Sequence, residues 1–178
     1  MPEHAPLPFD PVDEARRQWE RHGWGDAAPA MAVVTSVMRV QQLLLARADA
    51  ALRSFGLTFA RYEVLMLLSF SQRGALPLGK IGERLQVNPA SVTNAIDRLE
   101  EQGLVERVPN PSDGRGTLAR LSDEGRARAL DATHAVNSTV FVDLGIGVED
   151  MEKLFALLRA VRLAAGDFAE DQVRAAQP

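Results

Sequence analysis

Residues 77–121 carry the pattern that most limits what this chain can fold into. Residues 78–85 fit a short helix, and a tight turn follows them. Asn88 is a typical N-cap and Pro89 a typical first residue of a second helix, which Gly103 is placed to end. Two helices separated by so short a connection predict a helix-turn-helix.

The segments after the second helix predict a β-hairpin and a further helix. Residues 104–108 and 117–121 fit two strands, and the connection between them is too polar and glycine-rich to pack in a core. Ser122 can cap the next helix, whose first turn contains acidic residues that favour the helix dipole. We expect that helix to extend to about residue 144. The complete pattern predicts a winged helix-turn-helix.

Helical periodicity on both sides of this pattern predicts a mainly α fold. Residues 13–21 can form a short helix, and apolar side chains recur every three or four residues over 30–55. Thr58 can cap the next helix, and R-G-A-L-P at 73–77 should interrupt the chain. The last helix, over 148–161, has an apolar face. The long first helix and the last helix have larger apolar faces than one small domain can cover, so we expect a homodimer.

Composition sets the broad class of the protein. The chain has 178 residues, of which 46% are hydrophobic and 25% charged, as in ordinary soluble proteins. We find neither an apolar run of the roughly 18 residues that span a bilayer nor a signal-peptide pattern, so we expect a cytoplasmic protein without membrane contact. The absence of cysteine excludes disulfides, thiolate metal sites and thiol redox sensing. A net charge of −4 argues against a general nucleic-acid coat, although a selective DNA-binding protein needs only a locally basic face.

The second helix of the motif has the polar face that a DNA-reading helix requires. Its apolar positions leave Ser91, Thr93, Asn94 and Arg98 facing outward. A helix in the major groove meets base edges with short or flexible donors and acceptors, and asparagine can pair with adenine and arginine with guanine. The alternative is an ordinary solvated helix face, but the cap, the turn and the following hairpin favour DNA.

The hairpin tip contains a second candidate contact with DNA. Asp113 and Arg115 flank a single glycine. Arginine inserted in a narrow minor groove senses its width and charge, and Asp113 can hold the guanidinium in place. Taken alone, a surface turn that needs aspartate and glycine for its backbone explains these residues equally well.

Three stretches of the sequence resemble the MarR (multiple antibiotic resistance regulator) family: S-V-T-N-A-I-D-R-L-E-E-Q-G-L-V-E-R, D-G-R and L-S-D-E-G-R-A. The order of the helices extends this resemblance over about residues 30–165. The resemblance implies a homodimer that binds pseudo-palindromic double-stranded DNA and is usually released by small ligands. It also implies a base-reading role for the four polar residues and a wing role for the aspartate–arginine pair.

The resemblance implies four segments along the chain. They are an N-terminal extension with a short helix at 1–29, dimerisation helices at 30–57 and 145–172, and between these a winged helix-turn-helix DNA-binding domain with its connecting helix at 58–144.

The N-terminal extension departs from the commonest layout of the family. It carries Trp19 and Trp24 and is similar to the tryptophan-bearing helix of the urate-responsive branch, although Glu63 stands where that branch has aspartate. Either the tryptophans pin the extension to the dimer, or they help to bind a small aromatic or phenolic effector. The candidate residues for an effector site are Trp19, Arg39, Arg61, Tyr62 and Glu63.

Other classes of function find less support in the sequence. No nucleophile motif, phosphate-binding glycine loop or metal-ligand spacing appears, so we expect no catalysis, no cofactor and no metal. The better alternative is a winged helix used for protein–protein contact without DNA. Its recognition face would be more apolar, and its binding would respond little to salt.

Overall fold

The computed structural model describes residues 6–111 and 116–169, which fall into two compact units. The first unit ends at Val142 and the second begins at Asp143. The first unit contains six α-helices and a three-stranded sheet among its described residues, and the second contains one α-helix. The expectation of a mainly α fold with a small β-hairpin is confirmed.

Helix α1 spans Pro11–Arg21 and packs against the helix that follows. The Asp10 carboxylate caps it by accepting from the Val12 N–H at 2.8 Å. Gly23 ends it in the left-handed region at φ +83°, and the Trp24 N–H donates to the Trp19 carbonyl at 2.9 Å. This C-cap returns the chain towards α1 and brings the two tryptophans together.

Helix α2 spans Ala28–Leu52 and continues as a 3-10 turn over Arg53–Phe55. Gly56 ends it at φ +69°, as expected from the sequence. Only Ala28, Ala48 and Leu52 are buried, whereas most of the other large apolar side chains of α2 are exposed, including Val33, Val34, Val37, Met38, Val40, Leu43 and Leu45. The helix therefore presents an apolar face that the described chain leaves uncovered.

The apolar character of α2 corrects one expectation from the sequence. By length and composition the segment Gly25–Phe55 is long and apolar enough to cross a membrane, with a mean hydropathy of 1.3 over an 18-residue window, although no run was expected to be. Length and composition are weak evidence on their own, because a helix that packs against a second protein chain has the same properties. Arg39 also lies in the middle of this helix.

Helix α3 spans Phe59–Phe70 and is capped from two sides. The Thr58 hydroxyl accepts from the Arg61 N–H, which confirms the predicted cap. The Asp49 carboxylate of α2 accepts from the Phe59 N–H at 2.7 Å, a contact that the sequence did not reveal. This second cap fixes the start of α3 to the long helix.

The winged helix-turn-helix follows in the predicted order. Helix α4 spans Leu78–Leu85, helix α5 Pro89–Glu101, strand β2 Val105–Pro109 and strand β3 Thr117–Leu121. The core beneath them contains fully buried leucine, isoleucine and valine side chains from α4 and α5, from the turn after α5 and from neighbouring helices: Leu52, Leu65, Leu68, Ile81, Ile96, Leu99, Leu104 and Val136. Strand β2 begins one residue later than predicted, because the Leu104 N–H is bonded to the Leu99 carbonyl in the turn that ends α5.

Residues 73–77 were expected only to interrupt the chain, and that expectation was incomplete. Ala75–Pro77 form strand β1, which pairs with β3 and gives the sheet the order β1-β3-β2. Three residues are too few to show alternation, and proline within a run argues against a strand. Proline is tolerated here because β1 lies at the edge of the sheet.

Helix α6 spans Asp123–Val136 and is capped by Ser122, as predicted. It was expected to extend to about residue 144, but the chain changes to a π-helix over Asn137–Phe141. The Ser138 and Thr139 hydroxyls both donate to the Ala135 carbonyl, at 3.1 and 2.6 Å. Such side-chain bonds compete with the regular backbone ladder and favour a change of helical pitch.

Helix α7 spans Val148–Ala164 in the second unit. Several of its apolar side chains are exposed, among them Val148, Phe155, Leu157 and Val161. Within this unit the guanidinium groups of Arg159 and Arg162 lie about 5 Å from the Phe168 ring, at 5.0 and 5.3 Å. The apolar face predicted for the last helix is therefore present and uncovered in the described chain.

Candidate nucleic-acid interface

The base-reading candidates lie together on the exposed face of α5. Val92, Ile96 and Leu99 are buried on the opposite face and hold the helix against the core. Ser91, Thr93, Asn94 and Arg98 are all exposed, as the amphipathic pattern predicts. The same packing that anchors the helix thus points its polar face outward.

The turn before α5 is tightly built. Gln86 adopts φ +54°, which is rare outside glycine, and the Asn88 side chain accepts from the Ser91 N–H at 2.8 Å. A β-carbon on Gly82 would lie 3.2 Å from the Val87 carbonyl oxygen, so glycine at this position allows a tight approach between α4 and the turn. The turn therefore fixes the angle between α4 and α5.

Two of the four candidates already make hydrogen bonds within the helix. The Thr93 hydroxyl donates to the Pro89 carbonyl at 3.0 Å and keeps its acceptor capacity for a base or phosphate partner. The Arg98 guanidinium pairs with Glu101 at 2.9 Å, and both side chains are mostly exposed. Because exposed ion pairs contribute little stability, Arg98 can exchange Glu101 for another partner at small cost.

A shallow groove runs between this face and the start of α3. Thr58 and Arg61 line it on the α3 side, and Asn88, Ser91, Asn94 and Arg98 line it on the α5 side. No acidic side chain lines this groove within the described chain. In a protein with a net charge of −4, it is a locally basic surface next to the polar face of α5.

Arg107 of β2 connects the wing to α5. Its guanidinium pairs with both Asp97 and Glu100, and its backbone N–H donates to Glu100 at 3.1 Å. The hydrogen bond to Asp97 is the main cause that raises the pKa of Arg107 above its ordinary value. The side chain is only 28% exposed, so the first strand of the wing is fastened to the helix by a partly buried contact.

The wing pair, Asp113 and Arg115, lies outside the described residues. The described part of the hairpin closes with the Asn110 N–H donating to the Gly116 carbonyl at 2.9 Å. Across the strands, the Arg120 guanidinium bonds to Glu106 at 2.7 Å. The hairpin base is thus well defined.

The structure separates the effector candidates. The rings of Trp19 and Trp24 meet edge to face at 5.4 Å, and Arg39 donates to Gln42 at 3.2 Å on α2. Tyr62 is buried with its hydroxyl 3.1 Å from that of Thr133, and burial raises the pKa of the neighbouring Glu63. Arg61 instead lines the groove beside α5.

Two residues that join distant segments were not identified from the sequence. Arg107 was not among the candidates named from the sequence, although the spacing of Asp97 and Glu100 on one helical face is a signal for such a partner. Asp49 gave no signal, because its bond to Phe59 joins two helices.

Comparison with known proteins agrees with this architecture. A family model described as "MarR family" matches residues 57–117. The HTH-type transcriptional regulator MhqR of Bacillus subtilis is 30% identical over 115 residues, which are 64% of this chain and 77% of that protein. The match to the transcriptional repressor MdtR of the same organism is shorter: it is 38% identical and spans 35% of this chain and 41% of that protein.

Solved structures extend the similarity over most of the chain. Sco5413, a MarR family transcriptional regulator from Streptomyces coelicolor, is 51% identical with a TM-score of 0.73, and the match covers 80% of this chain and 99% of that one. Sco3205 from the same organism, solved in complex with DNA, is 28% identical with a TM-score of 0.66, covering 78% and 88%. Helix order, wing base and sequence all agree, and this chain belongs to the MarR family of winged helix-turn-helix transcription regulators.

Proposed function

We propose that this regulator binds a pseudo-palindromic operator as a homodimer and that α5 reads the bases. The observation that carries the proposal is the exposed polar face of α5, which is fixed by a buried opposite face and bordered by a groove that no acidic side chain of the described residues lines. The DNA complex of the similar regulator Sco3205 supports this use of the fold. The relatives are regulators, and we propose binding without catalysis for this chain.

Each base-reading residue has a suitable chemical role. Asn94 can pair bidentately with adenine and Arg98 with guanine, at about 1–3 kcal/mol of discrimination per good pair. Ser91 and Thr93 can donate to or accept from several bases and phosphates. Asp113 and Arg115 are our candidates for contact with the adjacent minor groove, where an inserted arginine senses the groove width.

The exposed apolar faces of α2 and α7 supply the proposed dimer contacts. Val34, Met38 and Leu45 of α2 and Phe155 and Val161 of α7 are at least 39% exposed in the single chain. Burial of apolar area contributes about 25 cal/mol per Å², so a second copy that covers both faces gains substantial stability. A two-fold dimer then places the two α5 helices about one turn of DNA apart.

The effector response is the finer part of the proposal. We propose that a small aromatic or phenolic molecule releases a repressor from DNA in the cytoplasm. Trp19 with Trp24, the α2 residue Arg39, and Tyr62 with the half-buried Glu63 are the places to look for it. Any such molecule must bind the DNA-competent and DNA-incompetent dimers unequally.

Selection of bound sites from a random duplex pool, followed by anisotropy titration, tests this function. We expect enriched sites with two-fold symmetry and half-sites about one helical turn apart. We also expect binding at least a thousand times tighter than to random duplex, about the lower limit for specific readers. Recovery of no enriched sequence, or of a single half-site bound at full affinity, would refute the proposal.

A further inference from the structure

The basic groove beside α5 continues beyond the recognition helix itself. Its two arginines stand on different elements: Arg98 on α5, and Arg61 in the first turn of α3. Arg98 has Glu101 as a partner at 2.9 Å. Arg61 has no carboxylate within ion-pair distance among the described residues, and the residue is partly buried. Arg61 therefore holds a positive charge in the groove that no acidic side chain of the described chain neutralises.

The start of α3 holds Arg61 in a defined position. The Thr58 hydroxyl, which caps the helix, also accepts from the Arg61 Nε at 3.2 Å. The Asp49 carboxylate fixes the preceding residue, Phe59, to α2 through its N–H at 2.7 Å. A guanidinium oriented by a capping residue, on a helix start fastened to the longest helix, loses little conformational freedom when it binds a ligand.

We propose that Arg61 binds a backbone phosphate of the DNA whose bases α5 reads, so that the start of α3 sets the register of α5 on the duplex. A planar guanidinium matches two phosphate oxygens, and phosphate contacts position a protein without reading sequence. Any duplex that reaches Ser91, Asn94 and Arg98 also covers the groove that Arg61 lines. This inference rests on the proposed function and assigns Arg61 to DNA, not to an effector.

The test compares Arg61→Ala with Arg61→Lys and with Arg16→Ala. Arg16 lies on the exposed face of α1, paired with Glu20 at 3.3 Å, so its removal makes the same change in net charge outside the groove. Binding is measured by anisotropy on the duplex selected for the wild type and on a random-sequence duplex, at several salt concentrations. Circular dichroism and melting temperature confirm that each variant is folded.

We expect Arg61→Ala to reduce the magnitude of the slope of log affinity against log salt by about 1.8, because each phosphate contact on duplex DNA contributes about 0.9 and the dimer carries two copies of Arg61. Over the decade from 0.1 to 1 M salt that change in slope amounts to a factor of about 60, so the affinity of the dimer at 0.1 M should fall roughly sixtyfold. The loss should be similar on both duplexes. Arg61→Lys should keep most of the slope, and Arg16→Ala should change it little.

Three results would overturn the assignment. An unchanged salt slope in Arg61→Ala would show that no phosphate is contacted, and a loss confined to the selected duplex would show a base contact. Salicylate, a simple aromatic acid, serves as the effector probe. If salicylate releases the wild-type protein from DNA but not Arg61→Ala, and the DNA affinity of Arg61→Ala is intact, Arg61 belongs to an effector site. The proposed function fails separately, through a wild-type protein that selects no sequence.

Discussion

Replacing Arg107 with alanine tests whether the wing and the recognition helix act as one body. In the folded protein Arg107 pairs with Asp97 and Glu100, whose side chains are 51% and 40% exposed. Exposed pairs contribute about 0.2–1 kcal/mol each, and here one partner is only 28% exposed. Glu100 keeps its bond to the Arg107 backbone N–H at 3.1 Å in the variant, so the larger loss falls on Asp97. We expect the free energy of unfolding to fall by about 1 kcal/mol.

The consequence for DNA binding should be larger than the loss of stability suggests. Without Arg107, Asp97 and Glu100 stand unneutralised on the helix that we propose reads DNA, and the wing strand keeps only the backbone bond to Glu100. We expect weaker binding to every duplex, because phosphate repulsion does not depend on sequence. Arg120→Ala is the matched control: Arg120 pairs with Glu106 at 2.7 Å across the same hairpin.

A double-mutant cycle of Arg107→Ala with Asp97→Asn measures the coupling energy between these two side chains. Thermal unfolding at one fixed protein concentration gives the stability of each variant, since a dimer's melting temperature depends on concentration. We expect a coupling energy of about 0.5–1 kcal/mol, and a larger loss of DNA affinity for Arg107→Ala than for Arg120→Ala. The reasoning would be refuted if the stability effects of Arg107→Ala and Asp97→Asn add to within about 0.3 kcal/mol and the two arginine variants lose equal DNA affinity.

Three further predictions follow from particular contacts. Asn94→Ala and Arg98→Ala should each cost about 1–3 kcal/mol on the selected operator and little on random duplex, and equal losses on both by anisotropy would indicate phosphate contacts. Gly125→Ala should destabilise by about 3 kcal/mol or more, because its β-carbon would lie 2.0 Å from the Leu104 carbonyl oxygen, whereas a normal melting temperature would contradict that geometry. Burial raises the pKa of Glu63 above its ordinary 4.5, so its stabilising contribution is complete below pH 4.5 and disappears as pH rises through the raised value. As the pH rises from 4 to 7, the melting temperature of the wild type should therefore fall relative to that of Glu63→Gln. Parallel curves of melting temperature against pH would show that Glu63 is not desolvated.

Local patterns predicted the elements that depend on nearby residues. Caps and amphipathic spacing act within a few residues, so Thr58, Asn88 and Ser122 were recognised as N-caps from the sequence. The polar face of α5 followed from the same periodicity. These features need no knowledge of the tertiary structure.

What the sequence left open depends on contacts between distant segments. Strand β1 exists because Ala75 pairs with Arg120, forty-five positions along the chain from it, and three residues carry no periodic signal of their own. Arg61 was grouped with effector candidates because its position in a groove is set by the packing of α3 against α5. The π-helix at the end of α6 accompanies hydrogen bonds from the Ser138 and Thr139 hydroxyls to the Ala135 carbonyl, and composition does not decide whether such bonds form.

The contacts that sequence missed are the ones that orient the proposed reading face. Asp49 fixes the start of α3 to α2, and Arg107 fixes the wing to α5. Gly125 allows the start of α6 to touch the Leu104 carbonyl at the base of the wing. Since α2 carries the apolar face proposed for the dimer, we expect a shift of that helix to displace the start of α3, and with it the groove at Arg61, through the bond between Asp49 and Phe59. An effector that moves α2 by a small distance would therefore change the spacing of the two reading faces without touching either of them.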